Sequence, residues 1–251
     1  MSSSAHAFSL VELLVTTGII GILAALGTQA LQSSMSAGRQ AEKVANLRSI
    51  GVAHGIFIAE SNGQCLPANT ANLGDDAALA GNGRAWWPHY LLRISGAGAK
   101  IFKNPDYRRP DGSKGALWDD VENPSSGKVV DEQPGELCRI EAGFGWNWYQ
   151  SSITPGDQGD WVTDTNQPRS AASVARPSKL IVCLESMSVI GGPNPSVGLN
   201  FDAWMSSVKA DPSFWAGPRW SKGAISCLFF DGHVAQMKPA EFQIENFTPL
   251  N

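Results

Sequence analysis

The chain opens with an abrupt change of polarity. Seven short or polar residues, Met1 to Ala7, give way at Phe8 to an apolar run, and the 26 residues between Glu12 and Arg39 carry no formal charge. The stretch from Leu13 to Leu26 reads LLVTTGIIGILAAL. A bilayer span needs about 20 such residues at 1.5 Å rise each, so the pattern predicts a transmembrane segment over about 8–31. A secretory signal would place its small-residue cleavage site after the apolar stretch; here the small residue, Ala7, stands before it. Polarity returns after Leu31 without a helix breaker. No Pro occurs from Ser33 to Glu60, and Val44, Leu47, Ile50, Phe57 and Ile58 mark one face at helical spacing. The whole of 8–60 is therefore expected as one helix, with bends or local melting at Gly38, Gly51 and Gly55 and a stop at Ser61-Asn62-Gly63. A rod on the order of 80 Å outreaches a bilayer, so its second half must pack on the rest of the chain and on other subunits. His54 lies on the apolar stripe and reads as a buried structural histidine.

Residues 61–251 have a different texture and form a predicted globular head. All nine Trp, all 15 Pro and the three Tyr lie there. Residues 85–94 read as a short helix with Pro88 in its first turn, ended by Gly96. Strands are expected at 136–140, 144–149, 180–184, 224–230 and 233–237, separated by Gly, Pro, Asn and Asp. Asp231-Gly232 between the last two predicts a two-residue hairpin of type I′. The fold class is α+β: a long N-terminal helix packed on a C-terminal antiparallel sheet.

Charge and chemistry narrow the function. A net charge of −4, from 19 basic and 23 acidic residues, supplies no basic field for nucleic acid. The four cysteines form no C-x-x-C pair, which leaves zinc-ribbon and thioredoxin-like sites unsupported. Cys65 and Cys138, near segment ends, are the expected bridge; Cys183 and Cys227, inside apolar strands, are expected as buried thiols that pair only if their Cα atoms lie within about 7 Å. No G-x-S-x-G, H-E-x-x-H, P-loop or G-x-G-x-x-G occurs. Asp231-Gly232-His233, with His54, His89, Asp202 or Glu185, is an Asp/His fragment that hairpin geometry explains without chemistry, so no enzyme is expected. Asp157, Asp160 and Asp164 are the candidates for calcium, but their spacing is not that of an EF-hand; no cofactor is expected. Trp86, Trp87, Trp146 and Trp148, with Trp161 and Trp215, are either a sugar-stacking surface or core, and exposure separates the two readings.

Glu12 is an acid at the front of an apolar helix, where burial in lipid is costly. An ordinary signal anchor would leave it among headgroups. A cut after Ala7 would instead create an amino group on Phe8, one helical turn from Glu12, and the two charges would neutralise one another within or between chains. The run Ala7-Phe8-Ser9-Leu10-Val11-Glu12-Leu13-Leu14-Val15, followed by Gly18-Ile19-Ile20-Gly21-Ile22-Leu23-Ala24-Ala25-Leu26, resembles the type IV prepilin processing segment shared by pilins and type II secretion pseudopilins. The resemblance implies a leader of residues 1–7, cleavage between Ala7 and Phe8 by a membrane-embedded prepilin peptidase, and N-methylation of Phe8. It also implies that Glu12 contacts the Phe8 amine of a neighbouring subunit, and that an inner-membrane platform extracts subunits from lipid into a filament. The family usually has Gly where this chain has Ala7, and a basic leader where this one has only His6. Arg39, Lys43 and Arg48 would draw their side of the span to the cytoplasm by the charge rule, whereas the resemblance places the head in the periplasm; long domains translocate largely regardless of flanking charge.

Further along, Ile101-Phe102-Lys103-Asn104-Pro105-Asp106, Phe144-Gly145-Trp146-Asn147, Arg176-Pro177-Ser178-Lys179 and Leu228-Phe229-Phe230-Asp231-Gly232-His233-Val234 resemble, in this order, large prepilin-like proteins that end in an H-x9-DG signature. Ser221 replaces the signature His, and Asn104 stands where a C-P-x-D motif is common. The expectation is a pilin-like structural subunit of a secretion or surface filament, stored in the inner membrane. The alternative is a membrane-anchored adhesin or carbohydrate-binding module using its Trp-rich loops.

Overall fold

A computed structural model describes residues 10–66, 69–70, 85–88, 91, 99–102, 104–106, 129–130, 137–138, 143–147, 170–186, 190–193, 200–210 and 223–248. The chain divides into two compact units, 1–42 and 43–251, and the helix α1 (Leu10–Glu60) has residues in both. Helix is retained through Gly38, Gly51 and Gly55, so the expected local melting is not found. The predicted stop is. Asn62 and Gly63 adopt φ of 53° and 78°, and the Gly63 N–H donates to the Ile58 carbonyl at 2.9 Å, a bond that closes a helix end once the chain has turned left-handed.

In the first unit, the large side chains from Leu10 to Leu31 are all at least half exposed. Among the described residues, the second unit holds the end of α1, the helix α2 (Phe201–Ala210), four short 3-10 helices and the strands β1 (Asn69–Thr70), β2 (Ala85–Trp86), β3 (Val129–Val130), β4 (Leu137–Cys138), β5 (Phe144–Asn147), β6 (Ile181–Glu185), β7 (Ile190–Gly191), β8 (Ile225–Phe229) and β9 (Val234–Met237). The main sheet has the order β7-β5-β6-β8-β9. Four strands run antiparallel, and the two-residue β7 lies parallel to β5 at one edge. The pairs β1–β2 and β3–β4 form separate two-residue ladders.

Every residue of β5, β6 and β8 is buried, because a helix covers each face of the sheet. Against one face α1 places Leu47, Ile50, Ala53 and Phe57, which cluster with Trp87, Leu91, Phe102, Phe144, Trp146, Val182, Cys183 and Leu228. Against the other α2 places Trp204 and Val208, with Ile181, Leu184, Ile225, Cys227, Phe229, Phe242 and Phe247. Double coverage explains why IVCLE and ISCLF are near-continuous apolar runs rather than alternating ones. A register shift between Ile181 and Cys183 opposite β8 turns both Val182 and Cys183 toward the α1 side. At Gly51 the helix comes so close that a Cβ would lie 3.0 Å from Leu228 Cδ1.

Three expectations need correction. Residues 85–94 are not one helix: 85–86 form β2, and Trp87, Pro88 and Leu91 are helical. Asp231-Gly232 is not a two-residue type I′ hairpin. Phe229 donates to the His233 carbonyl at 2.9 Å, Gly232 donates back to the Phe229 carbonyl at 2.9 Å, and only Gly232 has positive φ, 88°. This is a three-residue loop, in which one left-handed glycine after an ordinary turn suits the strand twist. The apolar stripe of α1 is also shifted: the buried residues are Lys43, Leu47, Ile50, Ala53, His54 and Phe57, while Val44 and Ile58 are only half-buried at its margin.

The strands of Cys183 and Cys227 are neighbours, yet the thiols belong to opposite faces of the sheet. Burial pushes both thiols up, Cys227 further through the nearby Glu185 carboxylate. Cys65 is buried, and the Cys138 side chain is outside the described residues. Non-reducing peptide mapping should return Cys183 and Cys227 as unlinked thiols; a Cys183–Cys227 peptide would contradict this packing. A shortened chain beginning at Ser33 should melt cooperatively, whereas one beginning at Asn62, stripped of Leu47, Ile50 and Phe57, should aggregate or lose its transition, since each large core side chain removed costs about 2–5 kcal/mol.

Candidate functional site

The first candidate is the apolar surface of α1. Ala7 and Phe8 lie outside the described residues; Glu12 lies in the first turn of α1, where the helix dipole favours a carboxylate. α1 is long and apolar enough to cross a membrane. Its threonines bond back to the helix itself: the Thr16 hydroxyl donates to the Glu12 carbonyl at 2.8 Å, Thr17 to the Leu13 carbonyl at 2.9 Å, and Thr28 to the Ala25 carbonyl at 2.8 Å. These three hydroxyls are thus satisfied within the helix and need no water.

The second is a buried ionic cluster in the 43–251 unit. Lys43, 1% exposed, rises from α1 and places Nζ 3.1 Å from Glu185 Oε2 and 3.0 Å from Asp106 Oδ2. Glu185, at the end of β6 and equally buried, accepts the Ser226 N–H at 2.7 Å and the Asn104 Nδ2 at 3.3 Å. Asn104 also donates to the Gly143 carbonyl, and its own Oδ1 accepts the Asp106 N–H at 3.0 Å. Three chain segments far apart in sequence are thus tied to α1 through one ammonium. Two carboxylates share the one ammonium, and the amide of Asn104 and the Ser226 N–H supply further donors to Glu185, so the cluster offers structure rather than an open coordination position.

One turn beyond Ile50, His54 is buried between Trp146 (ring centroids 5.0 Å) and Phe230 (5.6 Å), both T-shaped. Among the described residues, its Nε2 has no hydrogen-bond partner. Desolvation pushes its pKa down to about 3, so the ring is neutral near pH 7. The structural reading of this histidine from the sequence matches its place in the core.

The third is the hairpin signature. Asp231 Oδ1 accepts the His233 N–H at 3.1 Å and contacts His233 Nδ1 at 2.5 Å, and the imidazole stacks on Phe229 at 4.2 Å. The loop is held from below by Phe230 N–H to the Leu180 carbonyl and Asp231 N–H to the Pro177 carbonyl. The other proposed partners sit elsewhere. His54 is in the core, Glu185 is engaged by Lys43, Asp202 is exposed on α2, and His89 is outside the described residues.

Of the segments that carried the second resemblance, 144–147 and 228–234 are part of this sheet, and Phe102, Asn104 and the 176–179 turn are packed on or bonded to it. Trp146 Nε1 donates to the Leu66 carbonyl at 3.2 Å, and Asn147 Nδ2 to the carbonyls of Ile181 (2.7 Å) and Phe247 (3.1 Å). Lys179, at 2.7 Å, and Arg176 both engage Glu245, and the Lys179 hydrogen bond, foremost, holds the Glu245 carboxyl below its usual range. Trp87 and Trp146 stack on one another at 5.0 Å and are 1% and 0% exposed, so they fill the core instead of presenting a ligand surface. The Trp86 side chain, Trp148, Trp161, Trp215, Ser221, Asp157, Asp160 and Asp164 lie outside the described residues. Among those described, no group of three or more His, Cys, Asp or Glu is placed to hold a metal ion. No protein-family model, curated protein or solved structure matches the chain.

Sequence reasoning missed Lys43, Asn104, Asp106 and Glu185 as a unit. The available signal was the spacing 43, 47, 50, 54, 57, a strict helical stripe with a lysine on it. Lys43→Met should cost about 3–5 kcal/mol by stranding Glu185 in the core, seen as a lowered melting temperature. The pair Lys43→Met/Glu185→Gln should recover about half or more of the loss. Equal destabilisation by both would contradict the coupling.

Proposed function

We propose that the chain is a pilin-like structural subunit, held in the inner membrane by the first half of α1 with its head on the periplasmic side, and assembled through that helix into a secretion or surface filament. The observation that carries the reading is the combination on α1 of an apolar surface from Leu10 to Leu31, no formal charge between Glu12 and Arg39, and one carboxylate in the first turn. Leaving such side chains in water costs about 1.5–3 kcal/mol each. Two environments relieve that cost, lipid and the helices of other subunits, and storage in one followed by transfer to the other is the physical cycle of a filament precursor. Glu12 supports the second half of this cycle, because a carboxylate in an apolar helix interface asks for a cation, and the Phe8 amine created by removal of residues 1–7 supplies it one turn away. The prepilin peptidase, the assembly platform, membrane lipid and other subunits are the partners in this reading; nucleic acid is not.

Mass spectrometry of the membrane-extracted protein should give a mature chain that begins at N-methylated Phe8. Glu12→Ala should leave cleavage within about twofold of the wild type and abolish incorporation into filaments, read by shearing and immunoblotting. An intact Met1 start, or filaments of normal yield from the variant, would overturn the reading.

A further inference from the structure

We propose that the packing of residues 43–57 of α1 on the sheet is an acid-sensitive clasp, which opens below neutral pH while the opposite face of the sheet, against α2, stays closed. The argument rests on where the buried ionisable side chains lie. Among the described residues, the buried ones other than cysteine are Lys43, His54 and Glu185. Two are on α1, and the third, on β6, is bonded to α1 through Lys43. The α2 face holds apolar side chains, the neutral amide of Asn147 bridging the Ile181 and Phe247 carbonyls, and the Cys227 thiol, which is already protonated.

Acid therefore meets a buried imidazole on the α1 face alone; beside the α2 face the partly exposed Glu245, paired with Lys179 and Arg176, is held below the usual carboxylate range and keeps its charge to lower pH. Among the described residues, the ring contacts of His54 are Trp146 and Phe230, and its Nε2 has no acceptor that could stabilise an imidazolium. In the released segment the same imidazole would titrate near 6.5. Burial alone, with no neighbouring charge contributing, holds it down to about 3 in the closed state. The sign follows: between about pH 6.5 and 3 the open form binds one more proton, so closure is fully stable above 6.5 and weakens as pH falls, by about tenfold in the opening equilibrium per pH unit. The groups that face Glu185 are Lys43 from α1, Asp106 from the 104–106 segment and the Cys227 thiol from β8.

Hydrogen exchange of the full-length chain in detergent micelles tests this, with rates corrected for intrinsic pH dependence. From pH 6.5 to 4.5, amides of residues 47–57 should lose protection by about 50-fold, while those of α2 change by less than about threefold. In His54→Leu, or His54→Phe should the smaller residue fail to fold, the loss at 47–57 should fall below about tenfold. Parallel loss of protection in α1 and α2, no loss at 47–57, or an undiminished loss in the folded His54 variant would each overturn the clasp.

Discussion

The sheet of this protein is buried on both sides, and one of its two covers, residues 43–57 of α1, belongs to a helix whose other half has no core of its own. The constraint that organises the molecule is the register between that helix and the sheet. It is fixed at one end by Lys43, set between Glu185 and Asp106, and further along by Gly51 against Leu228 and by His54 between two aromatic rings. Apolar contacts alone would let a helix slide or rotate on a sheet at modest cost. A buried ion pair adds little net stability, but it makes the displaced registers expensive, because each leaves a charge in the core without its partner.

The sequence makes the helix and the central strands legible because they are governed by local rules. A run free of Pro ends at Asn62-Gly63, where the backbone turns left-handed, and the apolar runs at 181–185 and 225–229 are bounded by polar turns. What was not legible depends on pairing across long separations. Glu185 stands just past the strand expected at 180–184 and reads from the sequence only as a partner for Asp231 and His233, whereas its actual partner Lys43 lies 142 positions away. The second cover, α2, went unnoticed although Trp204 and Val208 stand one turn apart. The hairpin was read from Asp231-Gly232 alone, whereas the ladder stops at Phe229 and leaves Phe230 in the loop as well. Tryptophan content was ambiguous for a related reason: composition cannot say whether an indole meets a sugar or another indole, and Trp87 and Trp146 meet each other.

For function, the two parts of the chain answer different questions. Glu12 and the uncharged segment behind it describe a surface that needs an apolar environment, and their chemistry supports storage in lipid and assembly between helices. The segments resembling prepilin-like proteins in the second unit, by contrast, have structural duties. Asn104 and Asp106 complete the ionic cluster, Trp146 and Asn147 pin β5, and Asp231 and Gly232 shape the last hairpin. They explain why a large head can be built beside such a helix more than what that head recognises.

The central claim is that one continuous helix serves two environments, apolar and external up to about Leu31, and internal to the head from Lys43. Single spin labels placed along α1 in the membrane-reconstituted protein test it directly through their accessibility to oxygen, which partitions into lipid, and to a water-soluble nickel chelate. The account predicts high oxygen and low nickel accessibility throughout 14–31, then immobilised labels at 47, 50, 54 and 57 alternating with nickel-accessible ones at 48, 52 and 56. Nickel accessibility across 14–31, or a protected helical periodicity there like that of 47–57, would contradict it.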